Sequence, residues 1–209
     1  MPVETRKEER ARAKRDQIRA GARRVFLERG FVRASTSDIA AEAGVSKQTL
    51  YAYYASKEEL LVDVLRQLVM EGPQAPLQGL EDLEVGTKEE LREVLVERLR
   101  GVAGIMMSAE YLALLRIIIA EAPRLPGLGN LFRSTIPERG IELFSKLLAR
   151  TNERGLTSVP DPEVAARMLV GSIATYALLD ALLDPAEPPQ SLPDEKVHAV
   201  VDTYLKAAT

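Results

Sequence analysis

Apolar residues recur three and four positions apart along most of this chain, and alternating runs are missing, so the pattern predicts helices rather than strands. Ile18, Ala22, Val25 and Phe26 fall at i, i+4, i+7 and i+8. They make one stripe of a helix predicted from Arg10 to Glu28 and stopped by Gly30. Residues 2–9 lack periodicity and are predicted as a flexible arm. A second helix starts at Thr36, taken as its N-cap, with Asp38 in the dipole-favoured first turn. Ile39, Ala40 and Ala43 face inward, Gly44 ends the helix in a left-handed conformation, and Val45 plugs the turn. Ser46 caps a short third helix, Lys47 to Tyr54. Ser56 and Glu59 form the capping box of a fourth, whose stripe Leu60, Leu61, Val64, Leu65, Leu68 and Val69 runs toward Met70.

Gly72 to Gly86 is rich in Gly and Pro and reads as a linker or irregular loop. Thr87 and Glu90 form another capping box, opening a helix toward Ser108. The next helix, Tyr111 to Ala120, ends before Pro123. A long helical pattern runs from Leu128 to Arg150 with a kink expected at Pro137. Asp161 caps a helix that has Pro162 at its first position and reaches Leu183. After the proline-rich loop 185–193, a last helix carries Val197, Val200, Val201, Tyr204 and Leu205 on one face. The expectation is an all-α chain of about nine helices. Residues 10–57 form a helix-turn-helix domain, 58–70 a connecting helix, and 71–209 a domain for dimerisation and effector binding.

Composition narrows the class. With 46% hydrophobic residues among 209, the chain can bury a substantial core. There is no cysteine, so disulfides and thiolate zinc sites are excluded. The N-terminus is charged, so no signal peptide is expected. The most apolar stretch, Met168 to Leu179, is shorter than the roughly 20 residues of a bilayer span. A cytoplasmic protein without a membrane partner is the expectation. The net charge of −3 is unevenly spread: residues 1–57 hold 13 Lys+Arg against 7 Asp+Glu, and residues 58–209 hold 15 against 24. A basic head on an acidic body suits phosphate neutralisation.

Two short helices joined at a glycine, the second opening on hydroxyls, are the layout that sets a helix in the DNA major groove. The start of such a helix points at base edges, so Lys47, Gln48 and Thr49 are the candidate readers. Gln pairs with adenine through two hydrogen bonds and Lys donates to guanine. Tyr51 and Tyr53 are placed for phosphates or a thymine methyl. Thr36 and Lys57 stand at helix starts, where phosphate binding is favoured. Leu50 and Tyr54 have core spacing and read as packing residues. The run resembles the helix-turn-helix of the tetracycline-repressor-like (TetR) regulators over roughly residues 15–62. The match rests on Phe26, Gly30, Phe31, Thr36, Ile39, Ala40, Ala43, Gly44, Val45, Ser46, Leu50, Tyr51, Tyr54, Lys57, Glu58 and Leu60. That resemblance implies an all-helical homodimer with three N-terminal helices on DNA. It also implies a C-terminal ligand domain and, usually, a repressor released by a small molecule. Gln48 stands where the family often has glycine, and Tyr54 where phenylalanine is common. The segments EAPRLPGL and DPEVAARMLVGSIATYALLDALL look like one common branch of the family.

The helix from 162 to 183 is apolar on nearly every face, and such a helix needs cover all round. Together with the last helix it is expected to form a four-helix homodimer interface. The two-fold dimer would then read a palindromic double-stranded operator. Met106, Met107, Tyr111, Leu115, Ile118, Phe132, Ile136, Phe144, Met168 and Tyr176 are the candidate lining of an effector pocket, and the unidentified effector is expected to be small and mostly apolar. Catalysis is not expected. The chain has a single histidine, His198, and shows no glycine-rich phosphate loop or metal-ligand cluster, so no cofactor or metal is implied. The competing reading keeps DNA binding but replaces the small ligand by a protein partner, making the chain an architectural factor.

Overall fold

The computed structural model describes residues 6–71, 75–183 and 188–208. They are helical throughout, with connecting loops and no strand among them. The helices are α1 (Arg6–Arg33), α2 (Thr36–Glu42), α3 (Lys47–Tyr53), α4 (Lys57–Arg66), α5 (Lys88–Met106), α6 (Ala109–Glu121), α7 (Pro126–Thr135), α8 (Pro137–Glu153), α9 (Pro162–Ala177) and α10 (Asp194–Ala207). A π-helical turn follows α4 at Gln67–Glu71 and another follows α9 at Leu178–Leu182. The expected helix from Leu128 to Arg150 is divided before Pro137, whose ring and missing N–H cannot continue α7. Helix α1 begins at least by Arg6, inside the stretch expected as an arm; residues 2–5 of that arm lie outside the described residues. Residues 6–15 are nearly all good helix formers, with Glu8 and Arg12 four apart, which supports a helix without an apolar stripe. Gly30 breaks α1 with φ 69° and ψ 176°.

Two compact units result. The first holds the chain up to Leu65 together with Ala113–Phe132, and the second holds Arg66–Leu112 and the chain from Arg133 onward. The first unit thus takes in a segment that the sequence pattern assigned to the second domain. Its interior is built from Ile18, Ala22, Val25 and Phe26 of α1, Ile39 and Ala40 of α2, Leu50 of α3, and Leu60, Leu61, Val64 and Leu65 of α4.

In the second unit α9 packs against α5, α8 and α10. Its buried residues are Ala165, Ala166, Leu169, Ile173 and Ala177, and those of the facing helices include Leu91, Leu95 and Leu99 of α5 and Phe144 and Leu148 of α8. Asp161 caps α9 by accepting from the Glu163 and Val164 amides, with Pro162 in the first turn. Helix α10 is clasped to α5 by two Arg–Asp forks. Arg92 donates to both carboxylate oxygens of Asp202 at 2.6 and 3.0 Å, and Arg100 to both of Asp194 at 2.7 and 3.1 Å. These bonds hold both carboxyls below their ordinary range. His198 sits in the same clasp, its Nδ1 3.1 Å from Arg92 Nη2.

The loop after the π turn is packed rather than loose. Of the expected linker 72–86, residues 72–74 lie outside the described residues. In the rest, Leu77, Leu80 and Val85 are buried, because arginines from two helices bond the loop's carbonyls. Arg98 reaches Pro76 and Gln78, Arg150 reaches Leu80 and Leu83, and Arg154 reaches Val85.

Candidate nucleic-acid interface and effector cavity

Helix α2 is placed by α1 and by its own caps. Ser35, not Thr36, is the N-cap: its backbone is extended and its hydroxyl accepts from the Asp38 amide, while the Ser35 amide donates back to Asp38. The hydroxyl one residue earlier is the one aligned with the third helical amide, so Thr36 becomes the first residue inside the helix. Ser35's hydroxyl and amide, joined by Arg29 at 2.9 Å, keep the Asp38 carboxyl below the ordinary carboxylate range. Gly44 takes φ +62° at the far end. Across the turn, Gln17 donates to the Ala43 carbonyl at 2.6 Å, and Arg24 donates to the Glu42 carboxylate at 2.5 Å. Three side chains of α1 thus hold both ends of α2, a task that spacing along the sequence did not reveal.

Ser46 caps α3, accepting from the Thr49 amide at 3.0 Å. Lys47 and Gln48 stand exposed in its first turn. Thr49 is half-buried, and its hydroxyl lies 2.8 Å from that of Ser46. Leu50 points into the core. The structure pairs two of the candidate residues: Thr36 Oγ1 and the Tyr51 hydroxyl are 3.0 Å apart, bridging α2 and α3. Tyr53 is half-buried. Lys57 is tied inward: its ammonium donates to the Phe31 and Ala34 carbonyls at 2.6 and 2.9 Å and lies 4.2 Å from the Phe31 ring centroid. With three donors in all, it keeps at most one for a phosphate. The carbonyls stranded where Gly30 breaks the helix are the signal that could have foretold this clasp.

Tyr54 is buried, as its spacing implied, but the hydroxyl is not idle. It donates to Asp63 Oδ2 at 2.6 Å, and Arg19, itself buried, approaches the same carboxylate at 3.7 Å. Burial and this bond raise the phenol's pKa. A bond to an ionised group of this kind is worth about 1.5–3 kcal/mol. Tyr54→Phe is expected to lower stability by about 1.5–2 kcal/mol, measured by denaturant unfolding; no loss would show that solvent replaces the bond.

The second unit contains a cavity of about 70 Å³. Met106, Tyr111, Ile136 and Phe144 line it, with Val69, Leu77, Val102 and Val170 among the others. The remaining expected pocket residues lie elsewhere. Met107 packs in a small buried cluster with Leu112, Ala177 and Ala181. Leu115, Ile118 and Phe132 belong to the first unit. Met168 and Tyr176 line an open groove of about 370 Å³ between α9 and α10. Helical spacing marks a face as apolar but does not say whether that face meets the interior or a partner.

Residues 18–64 match the family model described as bacterial regulatory proteins, tetR family. Residues 93–207, over half of the chain, match the one described as AefR-like transcriptional repressor, C-terminal domain. The chain belongs to the TetR family. It is a TetR-family transcriptional regulator by both halves of its length. A TetR-family regulator from Mesorhizobium loti shares its fold with a TM-score of 0.71 at 25% identity, over 95% of this chain and 96% of that one. The flavonoid-responsive regulator FrrA superposes with a TM-score of 0.63 at 29% identity, over 93% and 94%. The HTH-type regulator YvaF of Bacillus subtilis is 33% identical over 85 residues, which is 41% of this chain and 44% of YvaF. The chain spans less than half the length of the curated relatives it matches. Within this TetR-family fold, Pro162–Leu182 forms one helical run of 21 residues, long and apolar enough by length and composition to cross a membrane. The sequence pattern assigned this helix nearly the same bounds but counted only Met168 to Leu179 as its most apolar stretch.

Proposed function

We propose that this TetR-family regulator is a repressor that binds a palindromic operator as a homodimer and is released by a small, mostly apolar effector. The observation that carries the DNA reading is the first turn of α3, where Lys47 and Gln48 are exposed beyond a capped and firmly held helix start. Lys47, Gln48 and Thr49 read bases in this proposal. Tyr51, Tyr53 and Thr36 set the position on the backbone, with Thr36 and Tyr51 acting as one bonded unit. Lys57 contributes its charge while holding the head together. Neutralising Lys47 is expected to cost about 1–3 kcal/mol and to relax preference at one operator position. Neutralising Lys57 should weaken all sequences alike. Selection of bound duplexes from random DNA, followed by titration at several salt concentrations, tests this. Lack of palindromic enrichment, or a salt slope unchanged in both variants, would refute it.

The dimer reading is supported by an apolar stripe left open on α9 and the π turn that follows it. Val164, Met168, Leu179 and Leu183 are each more than half exposed. Beside them, the buried Tyr204 hydroxyl has no hydrogen-bond partner among the described residues and lines the same groove. A second copy seated there would cover the stripe. The effector reading rests on the cavity lined by Met106, Tyr111, Ile136 and Phe144. Its volume is well under the ~300 Å³ of ordinary ligand pockets, and that small size favours one competing reading, control by a protein partner. A panel of apolar ligands titrated into the operator complex separates the two: release by none of them supports the protein partner.

A further inference from the structure

The cavity in the second unit has an asymmetric lining. Among its described lining residues Tyr111 has the only polar side chain; the others are Val, Leu, Ile, Met, Phe, Pro and Gly. Tyr111 is 5% exposed, and its position is fixed because Ser108 accepts from its amide at 3.2 Å. Its hydroxyl has no hydrogen-bond partner among the described residues. A neutral hydrogen bond from that hydroxyl to a guest atom is worth about 0.5–1.5 kcal/mol. Among the described residues no charged side chain lines the wall, so a carboxylate or phosphate entering here would lose its water and gain no counter-charge from them. Burial alone pushes the phenol up to about 12, so the hydroxyl stays neutral and offers one donor and one acceptor site.

We infer that Tyr111 is the specificity-determining residue of this cavity, anchoring an uncharged, compact apolar molecule through a single hydrogen bond to its hydroxyl or carbonyl group. This deepens the effector reading proposed above and rests on it only for the link to DNA release. The space itself is about 70 Å³, while a cavity of about 150 Å³ accommodates benzene. Entry of a ring therefore requires the wall to yield. Met106, with its flexible thioether chain, is the part of the wall best able to move.

The test uses the full chain and three probes of similar size: phenol, toluene and benzoate. Calorimetry and ligand-observed NMR measure binding, without DNA. Phenol and toluene are expected to bind and benzoate not to bind. In Tyr111→Phe the ratio of phenol to toluene affinity should fall about 3- to 10-fold, the worth of one neutral hydrogen bond, with toluene binding retained. Gly140→Ala provides a second variant, because its added Cβ would lie 3.3 Å from Leu77 Cδ1 on the cavity wall. It should weaken phenol and toluene together and leave their ratio unchanged. An unaltered ratio in Tyr111→Phe, preferential binding of benzoate, or no binding of either neutral probe overturns the inference. Operator release is measured separately. Probe binding without release would sink the effector reading and leave the site standing; release by a charged ligand that ignores Tyr111 would do the reverse.

Discussion

Replacing Met168 and Leu179 by glutamate is expected to give a folded monomer that no longer holds its operator. The two side chains are 60% and 58% exposed, so their loss should leave the chain's own stability within about 0.5 kcal/mol of the parent. In the proposed dimer, by contrast, each half-exposed side chain of the stripe gains about 1 kcal/mol on being covered. With Val164, Leu178 and Leu183 added, five such residues per subunit supply about 10 kcal/mol per dimer before the cost of association. The double variant removes much of this and places four carboxylates in the joint. The dimer should weaken at least ~10³-fold. A single head then binds DNA only in the non-specific range of roughly 10⁻⁴–10⁻⁶ M, because the second half-site no longer adds its effective concentration. Sedimentation velocity and operator titration measure the two effects. A variant that still sediments as a dimer would mean that another surface joins the subunits.

Gly21→Val should cost the head about 3 kcal/mol and abolish specific DNA binding. A Cβ built on Gly21 lies 2.7 Å from both the Cβ and the backbone nitrogen of Ala43 and 2.8 Å from its Cα. Ala43 is the C-cap of α2, one residue before the turn that aims α3. Backbone atoms held by the Gln17 bond cannot swing away as a long side chain could, so α1 and α2 must separate. Glycine inside a helix normally costs about 1 kcal/mol relative to alanine, a penalty accepted here in exchange for close packing. Ala43→Gly in the same chain removes only one of the three clashing atoms, so it should restore only part of the stability. Denaturant unfolding and operator titration report both variants. A Gly21→Val chain with unchanged midpoint and affinity would mean that the helices are not in contact at this point.

Much of the head was legible because its signals are local. Gly44 needs a left-handed backbone, Ser46 caps the helix that follows, and Leu50 falls on the core spacing set by Ile39 and Ala43. Each of these depends on residues within a few positions. The features that were missed depend on partners far along the chain. Arg19 meets Asp63, Gln17 meets Ala43, and Lys57 meets Phe31, and no periodicity encodes such pairs. Thr36 and Ser35 are both hydroxyl residues, so composition alone could not choose the cap; the backbone at Ser35 did. In the second unit, the same apolar spacing picked out Met106 and Tyr111, which line the small cavity, and Met168 and Tyr176, which line the groove between α9 and α10. An apolar face is equally legible whether it meets the interior or a second chain.

The return of Ala113–Phe132 to the unit of the first helices limits how this regulator can be recombined. Leu114, Ile118 and Leu128 are buried and come from the middle of the sequence. A hybrid made by a single crossover near residue 65 would join α3 of one parent to half of another parent's supporting fold. Grafting a new DNA preference onto this effector unit therefore calls for three crossovers that transplant both stretches together, or for changes confined to the exposed first turn of α3, which leave that shared interior intact.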